Sequence, residues 1–186
     1  MAQTKFASVL FQIALLWRVG YWEKGDDSRR SATLSRNLLR NEQQMTDSIL
    51  YLLDTSALLA HFRQEDGWES VQSLFESENA QLLIASPTLT ELGRRLLSLG
   101  ATTAEAAETV SAYHILFHSV IAIDDTVALA ALAIGQSAVR RLPLIDALIA
   151  GAAQVQSAIL VHRDEHMAGI PSSVLRQQTL IAGPLR

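Results

Sequence analysis

The sequence predicts an α/β fold, a mainly parallel sheet with helices on both of its faces. Three observations carry this reading. From residue 45 onward, short apolar runs alternate with longer stretches of helical periodicity, the pattern of strands joined by crossover helices. The first run, ILYLL over 49–53, ends on Asp54, and helix signals follow at once. Cap residues, prolines and glycines stand between runs where helices must start and stop. Such crossovers are right-handed and leave a parallel sheet covered on both sides.

Taken in order, residues 49–53 form the first strand, and helical segments follow over about 56–62 and 68–78. Residues 81–85 form the second strand. Ser86 and Pro87 then open a helix, as cap and first-turn proline, and Gly100 marks its end. Thr102 or Thr103 caps the next helix, which runs to about Tyr113. A short strand around 119–123 precedes Asp124, the cap of an alanine-rich helix that reaches about Val139. Pro143 begins a helix over 144–156, followed by a strand at 158–161, a polar loop, and a weak last strand near 179–182.

The chain has 186 residues, enough for one domain with a sizeable core, and its 49% apolar content is too high for disorder. It has no cysteine, which excludes a disulfide framework, a thiolate zinc site and a cysteine nucleophile. A reducing, cytoplasmic setting fits this. No stretch reaches the ~18–20 apolar residues that span a bilayer, so no membrane association is expected. The apolar run over 9–17 follows Lys5 but lacks a small-residue cleavage site, and Arg18 comes directly after it.

Charge divides the chain. Residues 1–44 hold 7 Lys+Arg against 4 Asp+Glu, a net of +3, and residues 45–186 hold 8 against 15, a net of −7. The first part also carries Trp17 and Trp22 and a polar, basic stretch over 23–44. With Met45 just before the first strand, residues 1–44 are expected to be an extension outside the domain, and 45–186 the domain itself. The alternative is an interaction arm whose first part forms an amphipathic helix. A net-acidic body argues against coating duplex nucleic acid, which needs a broad basic face. It leaves room for a nuclease whose metal supplies local positive charge.

Four carboxylates sit where chemistry would need them. Asp54 ends the first strand, and carboxyl ends of strands line the ligand crevice of open α/β sheets. Its plainer reading is a helix cap, shared with Thr55 and Ser56. Glu91, in SPTLTELGRRL over 86–96, lies near a first helical turn, where negative charge suits the helix dipole. Asp146, in RLPLIDALIAGAA over 141–153, has almost only apolar or small neighbours, a costly setting for an unpartnered carboxylate. Asp164, in AILVHRDEHM over 158–167, lies just past a strand, with Glu165 as a weaker substitute. Carboxylates gathered in one crevice repel one another, and a hard divalent cation is the common remedy. This points to metal-dependent phosphodiester chemistry.

The other templates fail. There is no phosphate-binding glycine loop and no nucleophile elbow. A phospho-acceptor receiver needs a lysine, and residues 45–186 contain none. A haloacid-dehalogenase-type Asp-x-Asp fails at Ser56. His162 and His166, like His114 and His118, stand four apart, but no HExxH occurs, and ordinary surface or partly buried histidines are the better reading. Arg94, Arg95, Arg140, Arg141 and Arg163 are candidates to grip phosphates, with solvated helix ends as the equal alternative.

Four pieces, LDTSALL, TLTEL, LIDALIAGAA and ILVHRDEHM, resemble in order and spacing a PIN domain of the kind found in VapC-like ribonuclease toxins, over about residues 49–170. The sequence departs from the family pattern at His162, where many members have Thr or Ser, and at Met167-Ala168, where an aromatic often follows the last acid. The resemblance implies a three-layer α/β/α sandwich, Mg²⁺ or Mn²⁺, and cleavage of single-stranded RNA. It makes Asp54, Glu91, Asp146 and Asp164 the acidic set. Asp54 and Asp164 would be the main ligands, and Glu91 and Asp146 would serve a second ion or orient water. Thr55, Ser56 and Glu165 are possible auxiliaries. A toxin–antitoxin pair implies a cognate antitoxin, and a homodimer is the expected assembly. Two rivals remain: a catalytically silent scaffold of the same fold that binds RNA or a protein, and a small-molecule-binding α/β domain with unrelated acids.

The compositional break yields a direct test of the boundary. Urea unfolding of residues 45–186 should be cooperative and match that of the full chain. A shortened chain that does not unfold cooperatively would place the extension within the core.

Overall fold

The computed structural model describes residues 48–180, so the expectation for residues 1–44 lies outside the described part. Strand β1 (Ile49–Leu53) leads into helices α1 (Thr55–Arg63) and α2 (Trp68–Glu76). Strand β2 (Ala80–Ala85) leads into α3 (Ser86–Ser98) and α4 (Thr103–His114), and β3 (Ser119–Ile121) into α5 (Asp125–Ser137) and α6 (Leu144–Val155). Strand β4 (Ile159–His162) is followed by a 3₁₀ turn, Met167–Gly169, and by β5 (Gln177–Thr179). All described strands are parallel, in the order β3-β2-β1-β4-β5.

This order explains the layers. From β1 the chain moves outward to β2 and β3, then crosses back to β4 and β5 on the far side of β1. With right-handed crossovers, reversing direction puts the connecting helices on the other face. The buried residues divide accordingly. One cluster joins Leu53, Ile84 and Val161 of the sheet to Leu58, Val71, Leu92 and Tyr113 of α1 to α4. The other joins Leu52, Leu83 and Leu160 to Val127, Ile134 and Ile149 of α5 and α6. Leu52 is in register with both Leu83 and Leu160, so one face carries a row of leucines, while its neighbour Leu53 points to the opposite helices. The three-layer α/β/α sandwich is therefore built from apolar runs whose successive side chains serve different cores.

Helix ends follow local chemistry with one exception. Thr102 and Glu105 form a reciprocal capping box, with Thr102 N donating to Glu105 Oε2 at 2.8 Å and Glu105 N donating to Thr102 Oγ1 at 3.2 Å. Asp124 caps α5 through Val127 N at 2.9 Å. Gly100 follows α3 with φ +93°, a conformation that suits glycine. Ser86 is the exception: it is the first residue of α3, and Ala85, with extended backbone, holds the cap position without a side-chain bond. Strand β2 runs directly into the helix, so the turn falls one residue early. The last strand also lies earlier than expected, because pairing with β4 is set by Gln177 opposite Leu160 and Thr179 opposite His162. Among the described residues, no helix is long and apolar enough to cross a membrane.

Helices α5 and α6 approach closely at Gly151. A Cβ there would lie 2.7 Å from Val127 O and 2.8 Å from Ala131 N, both backbone atoms that cannot swing aside. Gly151→Ala should therefore destabilise the fold by about 2–3 kcal/mol despite its better helix propensity. Urea unfolding measures this, and a loss below ~0.5 kcal/mol would mean that the two helices separate freely.

Candidate active site

The order reversal in the sheet lies between β1 and β4, and ligands of open α/β sheets bind outside the carboxyl ends of the strands at such a point. Asp54 follows β1 directly, and Asp164 stands two residues past β4. Glu91 lies in the second turn of α3, one turn deeper than its sequence position suggested, and Asp146 lies in the first turn of α6. Helices from both layers thus contribute to the same edge.

Asp54 is the fixed point. It is 4% exposed, and its Oδ2 accepts from Ser56 N at 2.9 Å and from the Ser56 hydroxyl. It is therefore the cap of α1, as its plainer reading held, and a buried carboxylate as well. Ser56 Oγ also accepts from Arg163 N at 2.9 Å, and Asp54 N donates to Val161 O at 2.9 Å. One serine thus ties the end of β1 to the loop that carries Asp164. Thr55 Oγ1 donates to Glu91 Oε2 at 2.8 Å and fixes α3 to the same turn. Burial pushes the Asp54 carboxyl above its ordinary range, the Ser56 and Thr55 hydrogen bonds oppose this, and the Glu91 charge adds to it.

Asp164 is held from two sides. Its Oδ1 accepts from His166 N at 2.6 Å and Met167 N at 3.3 Å, which shapes the turn after β4. Its own N–H donates to Nδ1 of His162 at 3.2 Å. His162 is fully buried, and its Nε2–H, the tautomer these partners require, donates to Gln177 Oε1 at 2.8 Å. The histidine that departs from the family pattern therefore links the Asp164 turn to β5.

Asp146 records the convergence. It is half-buried, and its pKa is raised to about 6, first by burial and then by the charges of Asp54, Asp164 and Glu91, with His166 opposing. Asp54, Asp164 and Glu91 thus each bear on Asp146, and Glu91 on Asp54. Oxygen atoms of Asp146 and Asp164 and a ring nitrogen of His166 all lie within 4.8 Å of one another, close to the spread of ligands around one ion. Hard carboxylate oxygens with one imidazole form a donor set that fits a divalent cation.

His166 is an exposed histidine, as the sequence suggests, and it stands beside Asp164, with Nδ1 3.2 Å from Oδ1. The DEH run at 164–166 was the available signal. Glu165 is not gathered with the set: its exposed side chain is turned towards Arg140, 3.9 Å away.

The electrostatics predict a pH signature. Asp146 has a raised folded pKa, so between about pH 4 and pH 6 the folded state binds more protons than the unfolded state. Its contribution falls as pH rises through that window and stays unfavourable above it. Without added metal, and discounting the shift for solvent screening of a half-exposed group, Asp146→Asn should stabilise the fold at pH 7.5 by roughly 1–2 kcal/mol, with the gain vanishing near pH 4. A substitution that destabilises at pH 7.5 would show that Asp146 only complements its helix dipole.

The toxin–antitoxin complex from Klebsiella pneumoniae contains a chain 26% identical to this one, with TM-score 0.54, covering 71% of this chain and 98% of that one. VapBC2 from Rickettsia felis, bound to a DNA fragment from its promoter, matches at 18% identity and TM-score 0.57, over 70% of this chain and 98% of the other. VapBC-1 from nontypeable Haemophilus influenzae matches at 17% identity and TM-score 0.57, over 71% and 98%. No curated protein sequence matches this chain. The PIN domain profile matches residues 51–172, a span that holds Asp54, Glu91, Asp146 and Asp164 together with the strands and helices that carry them, and the chain belongs to the PIN-domain family.

Proposed function

We propose that this chain is an endoribonuclease that requires Mg²⁺ or Mn²⁺ and cleaves single-stranded RNA as the toxin of a toxin–antitoxin pair. The observation that carries the reading is the grouping of Asp146, Asp164 and His166 within 4.8 Å at the carboxyl edge of the sheet, beside the turn that Ser56 ties to the buried Asp54. PIN domains are nucleases, and the Klebsiella pneumoniae relative, 26% identical, is part of a toxin–antitoxin complex, which supports a cognate antitoxin as partner. The lack of cysteine supports a cytoplasmic setting. A homodimer would bury apolar surface such as Leu129 and Leu132, exposed by 68% and 60% and one turn apart on α5.

In this reading Asp54, Glu91, Asp146 and Asp164 hold the cation, with His166 beside them. When bound, the ion supplies a more acidic water and offsets charge that builds up on the phosphodiester. The residues of the chain do the positioning. Ser56 directs Asp54 into the crevice and holds the Asp164 turn against it. Thr55 fixes one oxygen of Glu91 and leaves the other without a hydrogen bond to Thr55. Asp146, the carboxylate most affected by its neighbours, is placed to orient water. No histidine of neutral pKa is needed as base.

Asp54→Asn keeps the shape and the cap but removes a charge. It should reduce cleavage of single-stranded RNA by at least ~100-fold, equivalent to a few kcal/mol in the transition state. Chelator should abolish cleavage by the parent, and Mn²⁺ at ~100 times its dissociation constant should raise stability by about 2.7 kcal/mol in the parent and much less in the variant. An Asn variant that cleaves like the parent removes Asp54 from the machinery. A parent that binds RNA and metal but never cleaves points to the silent scaffold.

A further inference from the structure

A cleft of ≈ 560 Å³ runs from the carboxylate crevice along the outer face of α3. Pro87, Glu91, Arg94, Arg95 and Ser98 line it from that helix, and Ile145 faces them from α6, next to Asp146. The spacing places Glu91 at the inner end. Arg94 and Arg95 stand three and four residues on, about one turn or 5.4 Å further out.

The cations of the described residues are not equivalent. Arg63 and Arg163 are both engaged by Glu65, at 2.7 Å and 2.6 Å. Arg140 faces Glu165 at 3.9 Å, and Arg176 donates to Ser157 O at 2.6 Å. Among the described residues, Arg94, Arg95 and Arg141 have no carboxylate within ion-pair distance, and Arg94 and Arg95 line a cleft together with Glu91. Both are exposed on a domain whose residues 45–186 carry a net charge of −7. A polyanion that approaches this acidic surface is attracted where free guanidinium groups lie beside the crevice. Two guanidinium forks suit phosphate oxygens, and the Ile145 and Pro87 surfaces offer an apolar wall for a base.

We infer that the α3 cleft is the substrate track of the site: Arg94 and Arg95 grip the phosphodiester next to the scissile one, and the single strand leaves the crevice along α3. This rests on the ribonuclease reading for the scissile linkage but not for the binding itself. It separates Arg94 and Arg95 from Arg140 and Arg141, which the sequence alone left equivalent. The two arginines are positioning residues that act on substrate affinity, because a flanking phosphate is held equally in the ground state and the transition state.

The test uses the full chain and a labelled short oligouridylate. Binding is read by anisotropy with Ca²⁺, and cleavage by initial rates with Mn²⁺. The double change Arg94→Gln, Arg95→Gln should raise Kd and KM about tenfold, leave kcat within about twofold, and lower the salt slope of binding by about one to two. The double change Arg140→Gln, Arg141→Gln should alter Kd and KM by less than about twofold. If the first pair leaves Kd and KM unchanged while the parent cleaves, the track is wrong and the nuclease reading stands. If binding depends on Arg94 and Arg95 but the parent does not cleave with Mn²⁺, the track stands and the nuclease reading falls. Equal effects of both pairs overturn the track in favour of diffuse attraction. Absence of RNA binding, with an Arg94- and Arg95-dependent affinity for polyglutamate instead, overturns it in favour of an acidic protein partner.

Discussion

The burial of Asp54 at the end of the central strand is the constraint on which the rest of the site depends. A carboxylate that is 4% exposed costs several kcal/mol unless its oxygens are hydrogen-bonded. Ser56 meets that need twice over, with its backbone N–H and its hydroxyl, and the same hydroxyl accepts from Arg163 N. The device that makes the buried carboxylate tolerable therefore also sets the distance between β1 and the turn after β4. Thr55, one residue earlier, extends the arrangement to α3 through Glu91. Three segments remote in sequence are held at one edge by two neighbouring hydroxyls.

Helix α1 must be rigid for these hydroxyls to act as fixed points. A buried polar cluster on its far side supplies that rigidity. The Tyr113 hydroxyl, from α4, donates to His61 Nδ1 at 2.6 Å, and His61 Nε2–H donates to Gln72 Oε1 of α2 at 2.8 Å. Burial lowers the His61 pKa, which keeps the ring neutral and preserves this donor–acceptor order. The rings of Phe75 and Tyr113 pack against the imidazole at centroid distances of 5.2 Å and 5.8 Å. α1, α2 and α4 are thereby joined in a single layer, with the site at one end of α1.

The site itself is under electrostatic tension. Asp146 is destabilised in its charged form first by burial and then by three other carboxylates, and the fold carries this cost as functional sites commonly do. The surroundings compensate unevenly. Towards α3 lie two arginines that have no ion pair among the described residues, whereas towards Glu165 the cation Arg140 faces an acid. An acidic centre with positive charge on one flank is polar in direction, and a linear polyanion has one favourable way across it.

Much of the fold was legible along the chain, because it depends on local signals. The apolar runs, the Asp124 cap, the cap at Thr102 or Thr103, Pro143 and Gly100 mark elements whose ends agree with the structure to within a few residues. The misplaced features were those set by pairing rather than by local preference: the turn at Ala85, and β5, whose register on β4 outweighs the apolar pattern further on. In the site, the sequence determined which carboxylates were available and that Asp54 closes a strand. It could not show that Ser56 bridges to Arg163, that His162 steadies Asp164 from a buried position, or that His166 stands beside that carboxylate while Glu165 turns away. Nor could it divide the arginines into paired and free. The Ser56 bridge joins residues 107 apart in sequence, which only the order of strands in the sheet brings together, and the histidine contacts depend on the local turn after β4 and the burial of His162.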